Sequence, residues 1–581
     1  MTKKRVVMLG AGFRQGVAIR AARALGCTVV AADGNPSAVC APEADEFVCI
    51  DLKDTARLID YARYLQHNGG LDAVFTAATD FSAAVAAVAA ACGLRGHTPE
   101  AALNATDKVR MRECFRKAGV PSPSFIELSA ADLAAGKTAP AVAAPAVAAP
   151  AVAAPAVAAP APTAENSRCS DAAIADTLGR RLGELAGCFP LVVKPVDNMG
   201  ARGCSLVRSL PELRDAAVTA LRYSRSGRVI VEEYIEGSEF SIEGLIFGGR
   251  LYITALADRH IFFPPYFIEM GHTIPSGCPQ AIADEVMSVF ERGVHALGLT
   301  DGAVKGDILV RGGKAFVGEI AARLSGGYMS GWTVPYSCGL DITAAALTLA
   351  LGGSPRLHTC GQDAFIVPLK QHCQFVSAER AWISIPGQVA AVSGLEAARA
   401  APFVKAVYPR AGVGDTVVFP QNNVEKCGNV LSAAPSRAEA VQASEEACRR
   451  IVLRLKPHVA ETDAFLAELH CLAEQRTFPP NFLQFTEPLA GGDSFDRLLA
   501  DAVYKEQDGY MLPNFLAAAF DSARDLQGRP LRELLRHALE LEPGLAAVLC
   551  DQTSVRKNEY WRALIRGGLQ GLLYRYDCEK A

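Results

Sequence analysis

Lysine, glycine and acidic residues come together in three segments of the sequence. In the first segment, an apolar run ends at Lys194 and leads into a loop that contains Asn198, Gly200 and Gly203. Small residues let backbone amides approach phosphate oxygens, and a lysine supplies the compensating charge. The pattern is typical of a phosphate-binding loop. A lysine at the end of a strand before an ordinary loop is the alternative.

The second segment joins a β-branched run to a cluster of acids. Val229–Val231 is followed by Glu232 and Glu233, then by Gly237 and Glu239. Acids with exposed backbone nearby could accept hydrogen bonds from adenine and from ribose hydroxyls. A solvated acidic hairpin would show the same composition, so both interpretations stay open.

The third segment supports a geometric argument. Two β-runs between residues 303 and 321 flank a short turn, and a three-residue loop, 312–314, would place Asp307 directly opposite Glu319. Opposed like charges destabilise a sheet unless something neutralises them. Two carboxylates together with phosphate oxygens suit Mg²⁺. A two-residue loop would instead separate the acids onto opposite faces, or Lys305 would neutralise Asp307.

Glycines near the start of the chain suggest a second kind of nucleotide site. Gly10, Gly12 and Gly16 follow a predicted strand and open a helix, and Asp33 ends the next strand. The spacing departs by one residue from the dinucleotide fingerprint. One interpretation is a nicotinamide-dependent oxidoreductase, with pyrophosphate at the helix N-terminus and a ribose at Asp33. The other is a tight turn with close packing of helix on sheet.

These segments require elements to position them, and the sequence predicts an α/β chain. Residues 5–105 alternate strands and helices, which indicates a doubly wound parallel sheet. Strand and helix patterns return from 191 to about 350, residues 360–455 look β-rich with a closing helix at 437–455, and the rest reads as helices. Predicted helices near the C-terminus are 465–474, 497–503 and 531–541.

Composition limits the class of protein. The 581 residues are 50% apolar and 21% charged, with a net charge of -4, so nothing favours nucleic acid or an anionic membrane as a partner. The longest small-apolar run, 83–92, is about half the length of a membrane span. Seventeen cysteines without a C-x-x-C pair predict reduced thiols in a cytoplasmic protein. Four Ala-Val-Ala-Ala-Pro copies at 141–160 predict an extended spacer.

The order of the three segments resembles the ATP-grasp superfamily over roughly residues 5–455. Residues 106–121, which begin Thr-Asp-Lys, are similar to the start of the ATP-grasp module. The first 105 residues resemble the pre-ATP-grasp domain of carbamoyl-phosphate synthetases and biotin carboxylases. Because that domain usually holds no dinucleotide, the resemblance favours the packing interpretation of Gly10–Gly16. It implies ATP and Mg²⁺ as cofactors, with Mn²⁺ able to take the place of Mg²⁺.

The resemblance also implies a role for each matching residue. By this resemblance, phosphate would be bound by Lys108, Lys194, Asn198, Gly200 and Gly203, and adenine and ribose by Glu232, Glu233, Ile235 and Glu239. The metal ion would be bound by Asp307 and Glu319, and the transferred phosphoryl group by Arg323. One position departs from the family pattern. The usual Glu-x-Asn-x-Arg is here Glu319-Ile-Ala321-Ala-Arg323, so the side chain that normally adds a third metal ligand is missing. Ala321 should share a sheet face with Glu319, where only water could replace that ligand.

A narrower resemblance is to the L-amino-acid ligase branch. Residues 263–276 are similar to its aromatic-acid-glycine-histidine-proline segment, and residues 365–455 look like its C-terminal extension. The match implies that Glu269 faces a substrate ammonium and that His272 polarises or orients a carboxylate, while Arg323 contacts the substrate as its acyl phosphate. A lid loop whose histidine bonds to backbone is the alternative.

The sequence therefore predicts a cytoplasmic, Mg-ATP-dependent carboxylate–amine or carboxylate–thiol ligase that acts through an acyl phosphate. Its substrates would be small molecules, and a homodimer is compatible with this prediction. Activation of bicarbonate, as in carbamoyl-phosphate synthetases and biotin carboxylases, and a non-catalytic ATP sensor are the alternatives. The predicted domains are 1–105, 106–355 with a low-complexity insertion at about 135–170, a β-rich extension at 356–457 and a helical region at 458–581.

Overall fold

The computed structural model describes residues 3–134, 182–354, 373–468, 478, 482, 503–549 and 557–581. The chain divides into two compact units. Unit 1 comprises residues 1–267 and 272–377, and unit 2 comprises residues 268–271 and 378–581. The repeats at 141–160 and most of the helices predicted at 465–474 and 497–503 lie outside the described residues.

Unit 1 begins with a four-stranded parallel sheet in the order β3-β2-β1-β4. Alternate residues of β1 bury on opposite faces, with Val6 and Met8 against α1, and Val7 and Leu9 against α2 and α3. A sheet covered by helices on both faces is the doubly wound arrangement that the sequence predicts. The elements are β1 (Arg5–Leu9), α1 (Gly16–Ala24), β2 (Thr28–Asp33), β3 (Glu46–Cys49), α2 (Thr55–His67), β4 (Ala73–Phe75), α3 (Ser82–Ala91) and α4 (Pro99–Asn104).

A second, antiparallel sheet in the order β5-β8-β6-β7 follows. Val193 and Val231 of this sheet bury against α7, whose Leu213 and Ala217 lie on the facing side of the helix. β6 and β8 run antiparallel with Val192 opposite Glu232, so Lys194, two residues after Val192, lies on the same face of the sheet as Glu232. The elements are α5 (Lys108–Ala118), β5 (Phe125–Ser129), α6 (Ala130–Ala134), β6 (Leu191–Pro195), β7 (Ser205–Val207), α7 (Leu210–Tyr223) and β8 (Arg228–Glu233).

A third sheet completes unit 1, with its strands in the order β13-β12-β9-β10-β11. One face packs Ile308 and Val317 against Val289 and Phe290 of α8. The other face carries polar residues at alternate positions. The elements are β9 (Ser238–Phe247), β10 (Arg250–Phe262), β11 (Ile268–Ile274), α8 (Gln280–Ala296), β12 (Gly302–Arg311), β13 (Lys314–Ala321), a π-helical turn (Met329–Thr333), α9 (Val334–Cys338) and α10 (Ile342–Ala350). The first four residues of β11 belong to unit 2.

Unit 2 joins a β-rich part to the C-terminal helices through one shared core. Val389 and Leu455 of the β-rich part bury in the same cluster as Ala563 and Tyr574 of the last helix. The elements are β14 (Val376–Trp382), β15 (Gly387–Ser393), α11 (Leu395–Arg399), β16 (Val404–Pro409), β17 (Thr416–Val417), β18 (Gly428–Ala434), α12 (Arg437–Arg450), β19 (Val452–Leu455), α13 (Ala460–Ala467), β20 (Tyr504–Gln507), β21 (Tyr510–Pro513), α14 (Asn514–Ala518), α15 (Leu531–Leu541), α16 (Leu545–Leu549) and α17 (Lys557–Lys580).

The helix predicted at 437–455 is wrong at its C-terminal end. α12 stops at Arg450, and Val452–Leu455 forms β19, which pairs with β15. The apolar run at 451–453 favours a strand once a partner edge is present, and this tertiary contact outweighs helix propensity. The helix predicted at 531–541 has the bounds of α15. No helix within the described ranges combines the length and apolar character of a membrane-spanning segment.

Candidate active site

A cleft of about 900 Å³, including its open mouth, lies between the second and third sheets of unit 1. Most of the residues singled out from the sequence line it, namely Lys108, Lys194, Asn198, Gly200, Glu232, Glu233, Ile235, Glu239, Asp307 and Glu319. The fold therefore brings together three segments that together span more than a hundred residues of the sequence.

The loop after β6 lies over two lysines. Lys194 is the last residue but one of this strand, and Lys108 at the start of α5 donates from Nζ to the carbonyl of Asn198 at 2.6 Å. Gly200 and Gly203 have positive φ, and a Cβ at Gly203 would lie 3.2 Å from the Ala220 backbone. The loop can follow this path because those positions are glycine.

The N-terminal part of unit 1 also contacts this loop. Arg202 donates from Nη2 to Asp80, at 3.1 Å, in the segment that follows β4. Arg202 also donates from Nε to the carbonyl of Met199, at 3.0 Å. One side chain thus joins the tip of the loop to the neighbouring domain.

The carboxylate of Glu232 is buried between two cations. Its Oε2 accepts a hydrogen bond from Lys194 Nζ at 2.7 Å, and its Oε1 lies 2.8 Å from Nε of Arg112. The side chains of Glu232 and Arg112 are 1% and 0% exposed. Burial would raise the pKa of Glu232, but Arg112 and Lys194 outweigh it and hold that pKa at about 2. Glu232 therefore orients Lys194. Any contact of Glu232 with an adenine base would come from its backbone atoms.

The acidic stretch after β8 is paired with arginines. Glu233 forms an ion pair with Arg311 at 2.9 Å, and Glu239 accepts from Arg259 Nη1 at 2.9 Å. Ile235 is buried at the wall of the cleft. This segment is therefore not a freely solvated acidic hairpin. Glu233, Tyr234, Ile235 and Glu239 all line the cleft.

The acids of the third sheet face each other as predicted, but for a different reason. The loop has two residues, Gly312 and Gly313, both with positive φ, and Arg311 pairs with Lys314. Consecutive glycines favour this type of tight hairpin. The predicted three-residue loop is therefore wrong. With the two-residue loop and no other irregularity, Asp307 would not lie opposite Glu319.

A β-bulge restores the alignment. The pairing shifts by one residue between Asp307 and Ile308, so that Gly318 is skipped and Asp307 lies opposite Glu319. A bulge places two residues of one strand opposite one residue of its partner. Arg112 donates from Nη2 to the carbonyl of Gly318 at 2.6 Å, and this bond holds the bulge in place.

Replacing Gly318 with alanine should weaken nucleotide binding. The new Cβ would lie 2.8 Å from Leu309 Cδ1 and 3.0 Å from the carbonyl oxygen of Asp307. The leucine can rotate away, but the backbone oxygen cannot, so the bulge must shift and Glu319 moves with it. We expect affinity for Mg-ATP to fall roughly ten- to a hundredfold, measured by calorimetry. Gly187→Ala is the matched control, because its Cβ meets nothing within 4 Å; equal affinities would contradict the prediction.

Cations surround the opposed acids. Lys305 Nζ lies 2.5 Å from Asp307 Oδ2, and Lys108 Nζ lies 3.7 Å from Glu319 Oε1. Burial and the Asp307 charge act to raise the pKa of Glu319, yet Lys108, Lys305 and Arg323 hold that pKa below its usual value. Glu319 is therefore ionised at neutral pH.

The donor set fits a metal ion that is bound together with a nucleotide. No group of three or more His, Cys, Asp or Glu side chains in the described part of the chain is placed to hold an ion. Mg²⁺ is commonly bound through one or two carboxylates with phosphate oxygens and waters. Asp307 and Glu319 can supply those carboxylates, and the nucleotide would supply the rest.

Arg323 and His272 lie beside this centre. The guanidinium of Arg323 donates to the carbonyl of Leu324 at 2.8 Å, and its Nη2 lies 3.3 Å from Sδ of Met199 in the loop after β6. His272 Nε2 lies 3.2 Å from the hydroxyl of Ser241, which donates to Asp307 Oδ1 at 2.8 Å. The histidine is thus linked to a metal-binding candidate through one hydroxyl group.

Glu269 belongs to unit 2. Its backbone N–H donates to Asn423 Oδ1 at 2.8 Å, and its carbonyl accepts from Lys426 Nζ at 2.5 Å. Both partners lie in the stretch between β17 and β18. The β-rich extension thus fixes the backbone that carries this predicted substrate residue.

The glycine-rich turn near the N-terminus is packed by protein groups. Asp33 accepts through Oδ2 from the Ala11 N–H, at 2.8 Å, and through Oδ1 from the Asn35 N–H, also at 2.8 Å. A Cβ at Gly16 would lie 2.6 Å from Cys40 Sγ. The geometry favours the packing interpretation, because the predicted ribose acceptor is occupied by backbone donors.

Sequence reasoning did not assign Arg112, Arg259 or Ser241 to the site. Arg112 is an arginine on the apolar face of α5, and a charged residue at such a position is a signal for a buried ion pair. Ser241 lies two residues after Glu239 on β9, so the same face of the strand carries both. Arg259 gives no comparable signal, because its partner Glu239 is found only through the β9–β10 register.

Comparison with known proteins agrees with this geometry. Residues 188–331 match the ATP-grasp domain, and residues 381–456 match the L-amino acid ligase C-terminal domain 2. The solved structure of an L-amino acid ligase from Bacillus licheniformis aligns with a TM-score of 0.60 at 18% identity, covering 78% of this chain and 100% of that chain. The fold is therefore that of ATP-grasp proteins, with an extension of the L-amino acid ligase type.

Curated relatives match over shorter stretches. Carnosine synthase 1 of Homo sapiens is 27% identical over 184 residues, which cover 29% of this chain and 22% of that protein. The uncharacterised protein y4rH of Sinorhizobium fredii is 23% identical over 433 residues, covering 74% of this chain and 78% of that protein. The chain thus spans about a fifth of the length of the carnosine synthase that it matches.

Proposed function

We propose that the protein is a Mg-ATP-dependent ligase that joins a carboxylate to an amine through an acyl phosphate, with amino acids as the substrate class. The observation that carries this proposal is the convergence of Lys108, Lys194, Asp307 and Glu319 on one cleft. Fixed cations beside two carboxyl groups suit a triphosphate with its divalent ion. Neither a nucleophilic serine nor a cysteine is needed for this chemistry.

The reaction has two displacements. A carboxylate oxygen of the acid substrate attacks the γ-phosphorus, the bond to the β,γ-bridging oxygen breaks, and ADP leaves. The amine nitrogen then attacks the acyl carbon, the bond from carbon to the phosphate oxygen breaks, and inorganic phosphate leaves as the amine loses a proton. Lys108, Lys194 and Arg323 would spread the negative charge of the first transition state. A bound Mg²⁺ supplies Lewis-acid stabilisation of the phosphate oxygens.

The loop after β6 would exclude water from the acyl phosphate. Its residue Met199 lies against Arg323, and its residue Asn198 accepts from Lys108. The loop therefore contacts Lys108, which is predicted to bind phosphate, and Arg323, which is predicted to bind the transferred phosphoryl group. Exclusion of water matters because acyl phosphates hydrolyse readily.

The substrate class rests on similarity and on two residues. The match of residues 381–456 to an L-amino acid ligase domain supports amino acids as substrates. In the proposal, Glu269 faces the ammonium of an amino acid, and His272 lies close to the reacting carboxylate. A thiol could replace the amine as acceptor. A cytoplasmic location remains part of the proposal, supported by the cysteine pattern.

The decisive experiment measures ADP release with Mg-ATP and pools of amino acids and small carboxylates. We expect release that requires a pool and falls at least about a hundredfold in the Asp307→Asn/Glu319→Gln variant. Asp284→Asn/Glu291→Gln is the matched control, because it makes the same two chemical changes at exposed positions of α8. This control should keep full activity.

Other outcomes would contradict the ligase. A folded protein that binds ATP and releases no ADP with any pool would be a nucleotide sensor, and the missing asparagine at Ala321 is the observation that favours this second candidate. Release that requires bicarbonate alone would indicate a carboxylase-type or carbamoyl-phosphate-type reaction.

A further inference from the structure

The strand pair that carries the two acids places a lysine opposite the unusual alanine. β12 and β13 pair Asp307 with Glu319, and Lys305 with Ala321. Residues two apart on a strand point to the same face, so these four positions share one face of the sheet, and Asp307 and Glu319 on that face line the cleft. The residue opposite Ala321 is therefore the cation Lys305. Its ammonium group, as well as a water molecule, can occupy the space of the metal ligand that asparagine usually provides.

Asp307 is already contacted at both of its oxygens. Lys305 Nζ lies 2.5 Å from Oδ2, and the Lys305 side chain is only 13% exposed. Oδ1 accepts from Ser241 at 2.8 Å and lies 3.7 Å from Nε of Arg259. Burial and the ion pair with Asp307 thus hold the Lys305 side chain in place, unlike the side chain of an exposed lysine.

The balance of charge limits how many ions this face can bind. Lys305, Arg259 and Lys108 lie within 4 Å of the two carboxylates. One divalent ion can bridge the carboxylates and the nucleotide phosphates. A second ion would have to bind beside fixed positive charges and without the third protein ligand that the usual asparagine provides.

We propose that the cleft binds ATP with one divalent cation, and that the Lys305 ammonium supplies the charge that a second ion would otherwise supply. This inference rests on the proposed function, because it requires a nucleotide in the cleft. Lys305 would then bind the nucleotide phosphates directly while it neutralises Asp307.

The test counts metal ions without any turnover. Mn²⁺ is titrated into the full-length protein saturated with a non-hydrolysable ATP analogue, and the remaining free Mn²⁺ is measured by electron paramagnetic resonance. We expect one bound Mn²⁺ per bound analogue in the natural sequence. Lys305→Met/Ala321→Asn, which removes the ammonium and restores the amide ligand, should bind two.

A single substitution measures the charge of Lys305 by itself. Lys305→Met keeps most of the side-chain volume and should weaken binding of the analogue at least about tenfold, with the ion count still one. Lys314→Met is the matched control on the neighbouring strand, and it should change neither affinity nor ion count. Unchanged affinity in Lys305→Met would overturn the role of Lys305.

The outcomes separate this inference from the proposed function. Two Mn²⁺ ions per analogue in the natural sequence would overturn the single-ion site while leaving a nucleotide-binding cleft intact, and this result needs no variant to fold. A double variant that folds and still binds one ion would overturn the exchange of ammonium for metal. A natural protein that binds no analogue would remove both the inference and the proposed ligase.

Discussion

Replacing Lys194 with alanine should lower the rate of ADP formation by about 10²–10³-fold and leave the protein folded. Lys194 Nζ is held at the cleft by Glu232, 2.7 Å away, and the same glutamate keeps the pKa of Lys194 above its ordinary value despite burial. The lysine is therefore charged and fixed where phosphate is expected. Single-turnover measurement of ADP, with thermal unfolding in parallel, checks both parts of the prediction.

Folding should survive this change because Glu232 keeps a second cation, Arg112. Lys314→Ala serves as the control, since it removes a lysine from the exposed start of β13. Full turnover in the Lys194→Ala protein would exclude the loop after β6 from the chemistry. Loss of fold would show instead that the lysine is mainly structural.

Replacing Arg112 with methionine should cost about 3–5 kcal/mol of unfolding free energy. The substitution leaves the carboxylate of Glu232 buried beside a single cation, and it removes the bond from Arg112 to the carbonyl of Gly318. Arg116→Met is the matched control. Arg116 lies one turn further along the same helix with its side chain 69% exposed, so a change within about 0.5 kcal/mol is expected. Urea unfolding at neutral pH measures both variants.

The same ion pair predicts how stability depends on pH. The folded pKa of Glu232 is about 2, below its ordinary value of 4.5, so its contribution is fully present above pH 4.5 and is lost as the pH falls towards 2. In Arg112→Met the pKa of Glu232 rises, because one of its two cations is gone. The fall in unfolding free energy across this window should therefore be shallower in the variant. A fall of equal steepness would show that another group controls acid unfolding.

The sequence predicts the opposed acids correctly through an incorrect intermediate step. A three-residue loop was expected, but the two consecutive glycines, Gly312 and Gly313, form a two-residue turn. The bulge at Gly318 then shifts the register by one residue and brings Asp307 opposite Glu319. Alternation of side chains cannot reveal a bulge, because the bulge depends on a carbonyl bond to Arg112, about two hundred residues away.

Local patterns predict most elements of unit 1, since each parallel strand and each amphipathic helix shows its own periodicity. The ion pairs of the cleft are different. Arg112 with Glu232 and Arg259 with Glu239 each join separate elements, and only the assembled sheets bring these partners within reach. Long-range contacts also decide the end of α12, where the strand β19 replaces the predicted last turns.

The hydroxyl of Ser241 also fixes the chemical form of its neighbour. A serine hydroxyl has one hydrogen, and here it is donated to Asp307. His272 must therefore be the donor in its own bond to Ser241, with the proton on Nε2. The position of one imidazole proton is thus set by the carboxylate of Asp307, through a single hydroxyl group.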